Sequence, residues 1–481
     1  MWMFRAWEKC SMSTSPATDS IETVPALGAD AAGTSPTPER RPGGIRAALA
    51  DPVLRVLAGA TLVSTLGRGI FYTLTVLFFT HFVGLDAGEI ALILAISSGV
   101  GVATSYAGGH FADVFSARRM LVVLIALEGL AMAAYPFAGD FGMALLLACI
   151  ATGLNRASNS TRSAIIARAF DAEHRVSTRA ILRTITNIGI AAGGAIGGLA
   201  LLAGTIDAYR GLMIAAGVVY LLSAVQLLRL PARVDAPPRE RRARLAVDAD
   251  TAAIAAHEVA TARQAAATAA AAARSPFRDR RYLALTALAG VFGMQFALGE
   301  IGVPLWIVHN TAAPDVMVSA LLIVNTVIVI ALQIPLSRGS DDIRKAGRAV
   351  LIAGAFMLIA CGLYALAAGP DAAAASAGVG AGVAIVLLLG GALFHAFAEI
   401  LSAAGTWGLS FELAEPSRAG AYQGMFGMGF SLGTMLAPLV ITATALELGL
   451  LGWAILAVLF VASAIGIWVI ARRAAPVAAS A

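Results

Sequence analysis

Gly109-His110-Phe111-Ala112-Asp113-Val114-Phe115-Ser116-Ala117-Arg118-Arg119 is a short polar stop between two long apolar runs, at about 89–112 and 119–138. A helix crossing a bilayer needs about 20 mostly apolar residues, and both runs are long enough. The stop carries an aspartate and two arginines, which belong in water at a membrane surface. Outward from it the alternation repeats. Further runs fall at about 53–82, 142–165, 180–203 and 211–230. A second set lies at about 282–308, 316–337, 348–368, 380–408, 420–445 and 450–471.

Composition requires the same reading. Of 481 residues, 59% are hydrophobic and 13% charged, against about 45–50% and 25% in soluble domains. Too few charges remain to cover a soluble surface. This excludes an ordinary cytosolic enzyme, a disordered chain and a secreted disulfide scaffold. The three cysteines make no disulfide framework; Cys149 and Cys361 lie in apolar runs and read as buried thiols.

Arginine sets the orientation. Loops near Asp86, Asp140, Asp207, Asp315, Asp371 and Glu447 hold a single basic residue, Arg210. The alternate loops hold Arg118 and Arg119, Arg175 and Arg179, Arg344 and Lys345, Arg418, and a cluster from Arg229 to Arg244. By the positive-inside rule these loops and both termini are cytoplasmic, and twelve spans satisfy every loop. The Ala-rich stretch 251–273 is too weakly apolar to insert and reads as a cytoplasmic helix. The expected order is a Ser/Thr/Pro-rich disordered tail (1–50), a six-helix half (51–230), a linker (231–280), a second half (281–473) and a short tail (474–481). The chain is therefore an all-α membrane protein whose twelve transmembrane helices form two pseudo-symmetric six-helix halves. His309 follows His81 at the spacing at which Asp341 follows Asp113, the weak internal repeat that parallel halves leave.

The 109–119 stretch resembles the signature of the major facilitator superfamily, a Gly, an Asp four residues on, then paired basic residues. The physics suits it. Gly109 allows close helix approach, and Asp113 is placed to accept hydrogen bonds at a neighbouring helix N-terminus. The resemblance implies a cytoplasmic latch of Gly109, Asp113, Arg118 and Arg119, with an eroded copy around Asp341. Val114 and Ser116 stand where the family has a basic residue and a glycine, which weakens it. Span five, with Gly189, Gly193, Gly197 and Gly198, is similar to the glycine pattern of the superfamily's antiporters and so implies export; generic small-residue packing is the other reading. Span eleven has a counterpart in Gly424, Gly427, Gly429 and Gly433.

Charged residues inside spans are costly in lipid and are functional candidates. They are Arg68 in span one, Arg156 beside Asn155 in span four, Glu300 in span seven, and His395 with Glu399 in span ten. The resemblance implies that these four spans line a central cavity. His395 and Glu399, at i and i+4, share a helix face. In the functional reading a carboxylate exchanges a proton against Arg68 or Arg156; in the structural one such a pair holds the halves together. Gln295, Asn187 and Arg183 are secondary candidates, and Glu128 in span three has no evident task. There is no phosphate loop, no His-Glu-x-x-His and no Gly-x-Ser-x-Gly. An ATP-driven pump or an enzyme is thus not expected, nor any cofactor or metal. The Arg239–Arg244 cluster reads as topogenic charge, not a nucleic-acid contact. The expectation is a monomeric, proton-coupled secondary transporter of a bacterial cytoplasmic membrane that exports a small amphipathic molecule or metabolite. A proton-coupled importer, or a non-transporting sensor or scaffold, is the alternative.

Overall fold

The computed structural model describes residues 50–235, 275–368 and 380–475. In the first half run α1 (Pro52–Phe78), α2 (Ala87–Val114), α3 (Ala117–Ala134), α4 (Phe141–Ala169), α5 (Ala172–Ala203) and α6 (Ile206–Leu227). In the second run α7 (Arg280–Asn310), α8 (Val316–Leu336), α9 (Ile343–Leu366), α10 (Ala381–Glu412), α11 (Ala419–Ile441) and α12 (Leu450–Ala474). Among the described residues, twelve helical stretches are long and apolar enough to cross a membrane. The expected all-α, twelve-span fold is what the chain adopts. The N-terminal tail, most of the linker and the 251–273 stretch lie outside the described residues.

Short polar side chains start these helices by satisfying their first free N–H groups. Asp51 accepts from Val53 N at 2.7 Å, Asp86 and Glu89 form a capping box, and Ser116, Asp140, Thr205, Asp279 and Asp342 cap α3, α4, α6, α7 and α9. Caps, not hydropathy, set the starts. Hence α6 begins at Ile206 and α9 at Ile343, about five residues before their apolar runs. Helix α5 begins at Ala172, well before residue 180, which makes Arg175 and Arg179 helical.

Each half packs its own core, with Phe411 of α10 joining that of the first half. In lipid there is no hydrophobic force between apolar helices, so close approach comes from small residues. A Cβ on Gly193 would fall 2.9 Å from Gly69 Cα, and one on Gly197 2.9 Å from Thr73 Cβ. With Gly189 against Thr65, three of the four glycines of the antiporter-like pattern weld α5 to α1; the fourth, Gly198, faces open space. The α2–α11 crossing joins the two halves just as closely, for a Cβ on Gly109 would lie 2.6 Å from Gly424 Cα. Helix α7 widens into a π turn at Leu298–Gly302, ahead of Pro304.

Candidate functional site

A cavity of about 340 Å³ lies between the halves. Helices α1, α2, α4 and α5 form one wall, and α7, α10 and α11 the other. The walls differ in chemistry. The first half contributes five arginines, Arg68, Arg156, Arg162, Arg179 and Arg183, with serines and an asparagine. The second contributes aromatic rings, among them Phe292, Phe296, Trp407 and Phe430, with neutral groups such as Gln295, Ser402 and Gln423. No carboxylate is among the lining residues.

Two of these arginines have carboxylate partners behind the wall. Arg183 on α5 pairs with Glu399 on α10, while Glu399 Oε2 accepts from Asn325 Nδ2 at 3.3 Å. The Arg183 guanidinium stands 4.8 Å from the Phe296 ring centre and 5.5 Å from that of Trp407. This ion pair joins one half to the other. Arg68 instead stays within its half: its Nη2 lies 3.4 Å from Glu128 Oε1 and its Nε donates to Tyr220 Oη at 2.9 Å. Asn155 Nδ2 donates to the same Glu128 oxygen at 2.8 Å. The expected pairing of Arg68 or Arg156 with Glu300 or Glu399 is therefore not formed. Glu128, which had no evident task, is the counter-charge that makes a buried Arg68 tolerable.

His395 and Glu399 diverge despite their i, i+4 spacing. His395 Nε2 sits 3.1 Å from the Gln295 carbonyl, to which it can only donate, and Nδ1 lies 3.4 Å from Tyr364 Oη. That imidazole is satisfied at both nitrogens and bridges α7, α9 and α10. Glu300 occupies the π turn of α7, exposed; among the described residues it makes no hydrogen bond or ion pair, and the charges nearest it are Glu399 and Arg183.

At the Arg-rich end the two halves clasp. Asp113, closing α2, accepts from Gly420 N at 2.8 Å and Ala421 N at 2.7 Å, the first free amides of α11. Within its own half it pairs with Arg168 of α4. Arg175 of α5 meets Glu412 of α10 at 3.4 Å, and Asp341 is a charged neighbour of that glutamate. Arg118 and Arg119 do not reach Asp113. Arg118 N donates to Asp235 at 2.9 Å and Arg118 Nη1 to the Leu230 carbonyl at 3.0 Å, while Arg119 N is capped by Ser116. The Ser116 cap turns the chain into α3 and carries both side chains away, leaving Arg168 as the basic partner.

A family model described as the Major Facilitator Superfamily matches residues 57–408. The chain belongs to this superfamily. Solved structures of transporters share the fold at low identity. The human organic anion transporter MFSD10 is 14% identical with a TM-score of 0.58, over 86% of this chain and 99% of its own. The proton:xylose symporter XylE is 13% identical at 0.61, over 87% and 94%. A bacterial homologue of the iron transporter ferroportin, in an outward-facing state, is 15% identical at 0.61, over 88% and 98%. No curated protein sequence matches the chain. Superfamily membership makes this a secondary transporter of a small molecule, not an enzyme.

Two of the transporter's cavity arginines escaped sequence reading. Arg179 reads as loop charge because hydropathy starts span five at 180, yet α5 carries it into the wall, where Nη1 donates to Ser163 Oγ at 2.6 Å and the guanidinium lies 5.0 Å from the Trp407 ring centre. Arg162 sits near the polar end of span four. A periodic signal existed for Arg179, since Arg179, Arg183 and Thr186 recur at helical spacing; on α4 the series Arg156, Asn159 or Ser160, and Ser163 does the same but leaves Arg162 out. Arg183 and Gln295 proved to be lining residues; Asn187 is not among them.

Proposed function

We propose that the chain is a proton-coupled secondary transporter working by alternating access, with Glu399 as the proton carrier. The observation that carries this reading is the Arg183–Glu399 ion pair, which runs from the first half to the second at the cavity wall. Halves that rock apart must break it, and an ionised carboxylate torn from its guanidinium in a low-dielectric site is costly. A proton on Glu399 removes that cost. Protonation and opening are then one linked event. Arg175–Glu412, and Asp113 of α2 against the start of α11, clasp the halves toward the Arg-rich end, which by its arginines is the cytoplasmic side of a bacterial plasma membrane. The cavity's amphipathic walls suit a small solute with a polar and an apolar end. Export is a second reading of direction, favoured by the likeness of the α5 glycines to the antiporter pattern. A panel of labelled acids, amines and sugars on reconstituted vesicles under an imposed proton gradient tests the reading. Gradient-driven movement of one solute, abolished by a protonophore, supports it; movement indifferent to the protonophore contradicts it.

A further inference from the structure

The cavity holds more positive charge than the protein neutralises. Of its five arginines, Arg68 and Arg183 have carboxylate partners. Arg156 and Arg162 make no hydrogen bond or ion pair with described residues, and Arg162 Nε is a fully buried donor without a partner. Arg179 has only a serine hydroxyl and aromatic faces. These cations are neighbours: Arg162 feels Arg68 and, against it, the smaller pull of Glu128, which already serves Arg68, while Arg179 feels both Arg162 and Arg183. Unpaired like charges in an apolar interior are expensive, and their persistence marks a site completed by something negative. Across the cavity stand Phe292, Phe296, Trp407, Phe426 and Phe430, so the missing partner has an apolar or aromatic body. The volume of about 340 Å³ falls at the small end of ligand pockets, roughly 300–1,000 Å³.

We propose that the transported solute is a small organic anion whose charged group is held by Arg156, Arg162 and Arg179 while its apolar body lies against the second half's rings. Guanidinium forks suit a carboxylate or related oxyanion through paired charge-assisted bonds. The proposal rests on the coupling reading above and adds a direction to it. Arg183 borders the same cavity, so an incoming anion competes with Glu399 for it. A proton on Glu399 frees Arg183 for the anion, and by reciprocity the anion favours the protonated carboxyl. Proton and anion then travel together, as in symport.

The test uses the purified full-length protein and three probes with one body and three charges: benzoate, benzamide and benzylamine. Thermal stabilisation by benzoate alone is expected, together with proton uptake from weak buffer as benzoate binds. Arg162→Gln is expected to weaken benzoate binding at least roughly tenfold, the loss of one hydrogen bond to a charged group, and Arg162→Lys less so. Equal stabilisation by all three probes, or none by benzoate, overturns the proposal, and needs no variant to fold. Benzoate binding without proton uptake upholds the anion site and instead removes the coupling role of Glu399. Proton-driven transport of an amine or a sugar would leave coupling intact and sink the anion.

Discussion

Asp113→Asn isolates the clasp at the Arg-rich end. The carboxylate accepts two amides from the start of α11 in the other half, at 2.8 and 2.7 Å, a contact that exists only while that end is closed. Asparagine keeps the size but not the charge. A negative charge at a helix N-terminus contributes about 0.3–1 kcal/mol, rising to about 2 when partly buried. Only 13% of the Asp113 side chain is exposed, so a loss of about 1–2 kcal/mol applies, a factor of roughly 5–30 in the closed-to-open ratio. A cysteine placed at Thr406, in the cavity wall, reports access when Cys10, Cys149 and Cys361 are replaced. Its labelling by an impermeant maleimide from the Arg-rich side should accelerate by that factor. Arg168→Gln removes only the partner within the same half and should change the rate less. An unchanged rate in Asp113→Asn would refute the latch argument and leave Asp113 a turn residue.

Other outcomes follow from particular contacts. Gly109→Ala sets a methyl 2.6 Å from Gly424 Cα in the other half and should impair transport while membrane yield stays near wild type. Gly69→Ala, 2.8 Å from Gly194 N inside one half, should instead lower yield and stability by the ~1–3 kcal/mol of an overpacked core; the reverse pattern would refute this division. Reporter fusions at Ala260 and Ala374 should prove cytoplasmic and external, and the opposite at either place would break the twelve-span topology. Burial raises the Asp51 carboxyl, but hydrogen bonds from Leu54 N, Arg233 and Val53 N outweigh it and leave the group below its ordinary value. Its contribution to stability is therefore present above that ordinary value, near pH 4, and fades as pH falls through the lowered one. Asp51→Asn should keep the cap yet lose this acid-side dependence in thermal melts, and a melt that still tracks pH as the wild type does would exclude it.

Fold and site were not equally legible. Apolar run length and loop arginines carry topology, because a bilayer imposes both along the chain without reference to other segments. Asp113 was also readable, since its partners are backbone amides that any helix start offers. Pairing was not. Arg68 finds Glu128 rather than Glu399 because α1 packs on α6, which in turn packs on α3 inside the same half, a matter of helix rotation that hydropathy does not encode. His395 turns to Gln295 and Tyr364 for the same reason, although spacing places it on a face with Glu399. Arg179 was hidden by a span boundary, because apolarity ends where lipid contact ends while backbone hydrogen bonding carries the helix further.

The proposed release of the two halves by a proton on Glu399 is read, without knowing the solute, from the pH dependence of access to the cysteine at position 406 from the Arg-rich side. Access is predicted to rise as pH falls in the otherwise wild-type chain, and to be high and independent of pH in Glu399→Gln, which cannot ionise. Access that ignores pH with Glu399 intact, or that titrates unchanged in Glu399→Gln, would show that Glu399 is not the proton carrier.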